Sequence, residues 1–113
     1  MDYTSINSLL EFSFIAGTTY TLEFTVIDDG SMPVDLGAAT CTWKMSYFSN
    51  PTETVLTKTG TVFGAGNDSF RIELTTADTE DLYGKFIHQP IVVDFVGNEY
   101  RQSQGLLHII PRA

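Results

Sequence analysis

The sequence predicts an all-β protein: two antiparallel sheets packed face to face, about seven strands in all, with one short helical crossover turn. Three observations lead there. Apolar and polar residues alternate with a period of two over most of the chain, the mark of strands with one buried and one solvated face. Polar turns rich in glycine and proline recur at short, regular intervals. No stretch carries the apolar spacing of an amphipathic helix of ordinary length. A small barrel is the alternative architecture.

The strands follow in order. The segment 10–15 opens the set, and Ala16-Gly17 breaks it. Tyr20, Leu22, Phe24 and Val26 then alternate with Thr21, Glu23 and Thr25. After a turn over 28–37, Cys41, Trp43, Met45 and Tyr47 alternate with Thr40, Thr42, Lys44 and Ser46. Asn50-Pro51 starts the next turn, and 54–62 is a strand. Gly64, Gly66 and Asn67 supply left-handed positions before Phe70, Ile72 and Leu74 alternate with Arg71 and Glu73. Two long strands, 85–95 and 99–110, are joined by a Gly97-Asn98 hairpin. Pro90 cannot donate to a ladder, so a break is expected near Gln89-Pro90. Phe86 then faces inward before the break, and Ile91, Val93 and Phe95 after it.

Between the strands ending at Leu74 and starting near Gly84 lies an acidic turn. Thr75 or Thr76 caps it, and Asp78, Glu80 and Asp81 stand near its positive end. It reads as the crossover from one sheet to the other, its carboxylates capping charges rather than catalytic groups. Trp43 is expected between the sheets with Phe24 and Ile72.

A chain of 113 residues, 42% hydrophobic, holds one domain with one core. The expected division is an arm, residues 1–10, and a sandwich, 11–113. Six basic against fourteen acidic residues give a formal charge of −8, which disfavours nucleic-acid and anionic-lipid partners. No apolar run is long enough for a membrane-spanning helix. The first ten residues lack the pattern of a secretory signal, and a lone cysteine suits a reducing compartment.

Candidate chemistry is sparse. Cys41 is in phase with the core and reads as a small hydrophobe. His88 and His108 lack an accompanying nucleophile motif, and His108 is expected at the surface. Asp28, Asp29 and Asp35 could offer oxygens to a calcium ion, but their spacing reads better as an ordinary turn. No catalytic residue, metal or cofactor is therefore assigned. Phe48, Tyr83 and Tyr100 fall outside the core phase, which keeps a carbohydrate-binding module as the alternative function.

Several motifs occur in a recognisable order. They are Phe12, Phe14, Ala16, Gly17, Thr19, Leu22, Phe24, Val26, Asp28 and Gly30, then Pro33 to Leu36 with Ala39-Thr40. Leu74, Asp78, Thr79, Leu82, Gly84 and Phe86 follow, and Gly105, Ile109 and Pro111 close the series. This order resembles the small immunoglobulin-like domain at the N-terminus of phage baseplate upper proteins and related short virion proteins. The resemblance implies an immunoglobulin-like sandwich and a non-enzymatic bacteriophage virion structural protein, of tail, baseplate or capsid decoration. It implies a multicopy assembly with other virion proteins, made in the host cytoplasm and found in the virion. The arm carries Tyr3, Ile6, Leu9 and Leu10, expected to form an interface on a neighbouring subunit; the alternative is that the arm folds over its own sandwich as an extra edge strand.

Overall fold

The computed structural model describes residues 3–7, 11–28, 30, 32–101 and 104–112, with 3–7 and 28 described as backbone. Two sheets pack face to face. The four-stranded sheet runs β1 (Tyr3–Asn7), β3 (Tyr20–Asp28), β7 (Ser69–Leu74) and β6 (Thr61–Phe63). The six-stranded sheet runs β2 (Glu11–Ile15), β10 (Gly105–Ile110), β8 (Gly84–Val93), β4 (Thr40–Tyr47) and β5 (Asn50–Thr59), with β9 (Glu99–Arg101) also paired to β8. This order matches the A-B-E-D and G-F-C sheets of an immunoglobulin-type sandwich, with β2, β5 and β9 added to the second sheet. The described strands number ten, because a strand at 3–7 joins those read from periodicity and the segments expected as single strands over 54–62 and 99–110 each give two. One pairing is parallel, β2 with β10, so the second sheet is mixed and not purely antiparallel.

The inward positions are the expected ones. Leu22, Phe24 and Val26 on β3 face Phe70, Ile72 and Leu74 on β7, and all six are buried. Cys41, Trp43 and Met45 on β4 enter the same core cluster with Leu107 and Ile109 of β10. Trp43 is fully buried, and its Nε1 donates to Nδ1 of His88 on β8 at 3.1 Å. An indole N–H in a core needs an acceptor, and His88 supplies one from the next strand.

Gly60 is where the chain leaves one sheet for the other, between β5 and β6. A Cβ placed there would lie 2.8 Å from a ring carbon of Phe70 and 3.3 Å from Ile72 Cδ1. The Gly60 N–H bonds the Cys41 carbonyl at 2.7 Å. Only a residue without a side chain lets the backbone pass this close to the core, so the strand expected over 54–62 is split.

The strand break expected at Pro90 does not occur. β8 pairs with β4 without interruption from Phe86 to Val93, Pro90 opposite Trp43. The Lys85 carbonyl accepts the Phe48 N–H, so odd-numbered residues of β8 turn their backbone groups toward β4. Pro90 therefore turns its nitrogen the other way. On that side β10 reaches β8 at His88 and β9 reaches it at Ile91, and among the described residues none pairs with Pro90 there. The inward phase stays even-numbered; Ile91, out of that phase, is nonetheless buried as expected, whereas Val93 is only half-buried and Phe95 lies exposed in the following turn. That turn is longer than a two-residue hairpin. Asp94 closes it, its carboxylate accepting the N–H groups of Val96 and Asn98.

The acidic crossover is α1 (Thr76–Thr79), one helical turn leading from β7 to β8. Asp78 Oδ2 accepts the Thr75 N–H at 2.7 Å and the Lys58 ammonium at 3.0 Å. Lys58 reaches it from β5, so the ion pair bridges the two sheets at one side of the sandwich. Burial pushes the Asp78 carboxyl up, but the Thr75 N–H and Lys58 outweigh it and hold it below its ordinary value of 3.8. Thr79 is buried, and its Oγ1 accepts the N–H of Gly17 in the β2–β3 turn at 3.0 Å. Of the three carboxylates expected to cap, only Asp78 does; Glu80 is the C-terminal flanking residue and Asp81 lies beyond it.

Three outcomes follow from these contacts. Trp43→Ala lowers unfolding free energy by about 3–5 kcal/mol, read by circular dichroism in urea. Gly60→Ala lowers it by about 1–3 kcal/mol through overpacking, read by Trp43 emission. Asp78→Asn destabilises by about 1–3 kcal/mol at neutral pH. The folded carboxyl titrates below its unfolded value, so its contribution is complete above pH 3.8 and disappears as pH falls through the lower folded value. The difference between Asp78→Asn and wild type therefore narrows in acid, and a difference independent of pH contradicts the bridge.

Candidate docking surface

The outward positions of the six-stranded sheet follow from its register. Glu11, Ser13 and Ile15 point outward on β2, opposite Leu106, His108 and Ile110 on β10. Leu106 and His108 in turn face Ile87 and Lys85 on β8. The face is mixed along its length and becomes apolar toward the α1 end. There Ile15 and Ile110 are direct cross-strand neighbours, 48% and 41% exposed. Phe48, 54% exposed, lies with its ring 5.8 Å from the Lys85 ammonium. Tyr83, 72% exposed, immediately precedes Gly84, which pairs with Ile109.

Local structure forces these side chains out. Ile15 ends β2 because Ala16 donates to the Ile110 carbonyl and Gly17 turns the chain with φ +74°. A side chain at Gly17 is strained by that φ, and its Cβ would displace the Arg112 guanidinium, 2.6 Å away. Gly84, at φ +101°, reverses the chain out of α1 and leaves Tyr83 at the apex. Tyr83 borders a shallow groove of about 320 Å³ between α1 and Pro111-Arg112. Among the described residues, five of the eight large exposed apolar ones (Ile15, Tyr47, Phe48, Tyr83 and Ile110) gather at this end, whereas Met32, Phe95 and Val96 belong to the opposite loops. Isolated exposed apolar residues are ordinary, but a gathered set marks a contact surface.

Further along the same face the chemistry is polar. Arg101 on β9 bonds Glu99 at 2.8 Å and the Gln89 side-chain oxygen at 3.0 Å. The Arg101 hydrogen bond and charge, with help from Lys44, hold the Glu99 carboxyl below its usual range. Lys44, Gln89, Arg101, Ser46 and Thr54 line a small polar hollow there.

The groups singled out from sequence have the following places. Tyr3 and Ile6 lie on β1, whose backbone pairs with β3 of the same chain from Tyr3 opposite Asp28 to Asn7 opposite Thr25. Part of the expected arm is thus an edge strand of the chain's own sheet; Leu9 and Leu10 fall outside the described residues. Cys41 is buried, and desolvation pushes its thiol up to about 11, which leaves no thiolate at neutral pH. His88 is buried and accepts from Trp43, while His108 is exposed. Asp35 bonds the Gly37 N–H two residues on, an ordinary turn contact. Asp29 lies outside the described residues, as does the side chain of Asp28. Of the three rings out of core phase, Phe48 and Tyr83 are exposed, but Tyr100 is half-buried and pairs with Val92, whose side chain is in the core. Ile15 and Ile110 were not picked out, because alternation alone does not say which outward residues become neighbours.

No protein-family model matches the chain, and no curated protein does. Among solved structures the chain is similar to CopC from Methylosinus trichosporium OB3b, at 7% identity and a TM-score of 0.56. The likeness covers 99% of this chain and 95% of that one. At this identity it shows the fold, an all-β sandwich. It also corrects the functional expectation: the matching structure is a CopC, not a phage structural protein, and the virion role implied by the sequence motifs is withdrawn.

Proposed function

We propose that this chain is a non-catalytic docking domain, which holds another protein against the outer face of its six-stranded sheet. The observation that carries this reading is the gathering of Ile15, Ile110, Phe48 and Tyr83 at one end of that face, fixed in place by two left-handed glycines. The two groups best suited to covalent or acid–base chemistry have structural occupations. Cys41 is a core residue with a raised pKa, and His88 satisfies the Trp43 indole. Docking needs neither group. It needs rigid aromatic and aliphatic anchors beside a polar rim, which this face supplies.

The test places a photoreactive benzophenone residue at position 83 of the full chain in its producing cells, and in a second variant at position 23 on the other sheet. Discrete cross-linked adducts form from position 83, none form from position 23, and Ile15→Ser with Ile110→Ser removes them. Equal adducts from both positions, or none from position 83, contradict the reading.

A further inference from the structure

We propose that the occupant of this face is a second copy of the chain, docked face to face in a two-fold dimer; this rests on the docking reading above. The charge distribution carries the inference. The chain has a formal charge of −8, so two copies repel unless they meet through a surface free of that excess. The outer face of the six-stranded sheet is such a surface. On the outward positions of β2, β10, β8, β9 and β4 the charged residues are Lys44, Lys85 and Arg101 against Glu11 and Glu99, and β5 adds the exposed Glu53. The other sheet instead turns Glu23 and Glu73 outward with Arg71, and Asp35, Asp68 and Asp94 sit in the loops at the far end. A dimer through the six-stranded sheet keeps those acidic surfaces apart.

The face is also self-complementary, as a two-fold interface must be, because each copy presents the same patch to the other. It holds both signs of charge around aliphatic and aromatic side chains. A two-fold axis parallel to the strands and lying between the two docked faces brings the apolar ends of both copies together. Glu80 and Asp81, beside Tyr83, are the acidic residues of the rim, and Arg112 is the basic one that answers them. Five strands spaced ~4.8 Å with outward rows ~20 Å long give a face of roughly 24 by 20 Å. Two such faces bury roughly 1,000 Å² in all, below the range of stable interfaces and within that of transient ones, so the dimer is weak and concentration-dependent.

Sedimentation equilibrium of the full chain, from micromolar to millimolar concentration and at two salt concentrations, tests this. Wild type passes from monomer to dimer mass, and salt strengthens the association by screening the repulsion between the two net charges. Ile110→Glu and Tyr83→Glu each weaken it on the order of tenfold or more, since each change occurs twice in the dimer. Phe95→Glu, at the opposite end, associates as wild type, and Trp43 emission checks that every variant is folded. A wild type that stays monomeric throughout overturns the proposal, as do Ile110→Glu and Tyr83→Glu variants that associate normally, or association that weakens with salt. Adducts from position 83 at twice the chain mass support the dimer. Adducts to a different protein, with wild type monomeric, leave docking standing and refute self-association.

Discussion

The hydrogen bond from Trp43 to His88 is the contact on which the rest of the sandwich depends. It joins the two strands at the centre of the larger sheet, β4 and β8, on their inward side. Immunoglobulin domains of antibodies pack a tryptophan on the equivalent strand against a disulfide that ties the sheets together. Here there is one cysteine and no such bond. The core instead centres on an indole that is both the largest buried side chain and a satisfied donor. The bond also fixes how His88 can serve: with Nδ1 accepting, the neutral ring carries its proton on Nε2. A histidine so placed belongs to the architecture.

The single turn α1 organises one end of the molecule in the same economical way. Its carboxylate caps its own first turn and reaches Lys58 across the sandwich; its threonine holds the β2–β3 turn. Those contacts set the positions of Gly17 and Gly84, and the two glycines set the exposure of Ile15 and Tyr83. The chain of cause runs from a four-residue acidic segment to the surface proposed for docking.

Much of this was legible in the sequence because alternation reports burial directly. Strands β3, β4 and β7, with Trp43 in the core and Cys41 beside it, follow from period two alone. Pro90 was misread for a definite reason. A proline is costly only where its missing N–H faces a partner, and which side that is depends on pairing with strands distant in sequence. Phe95 followed the same error, since its phase was counted from a break that does not exist. Gly60 stands inside the run read as one strand, where a glycine marks a bend or a close backbone approach but does not say that the chain changes sheet. The candidate surface was half visible: Phe48 and Tyr83 stand out of phase, but Ile15 and Ile110 become neighbours only through the parallel pairing of β2 with β10. The motif resemblance was consistent with an immunoglobulin-like sandwich but led to the wrong biological setting, as expected where one architecture serves many unrelated tasks.

The parallel pairing of β2 and β10 also bears on how the chain reaches this structure. It places Glu11 beside Leu106 and Ile15 beside Ile110, partners 95 residues apart at each position. Contacts of such separation form late, because the loop they close is costly until the intervening strands have ordered it. During synthesis β2 therefore emerges from the ribosome long before its partner does. Through that interval Phe12 and Phe14 have a strand but no sheet, and only the arrival of the last strand completes the six-stranded layer. The proposed contact face is thus assembled last, so that nascent chains leave it unfinished while the charge of −8 keeps them apart.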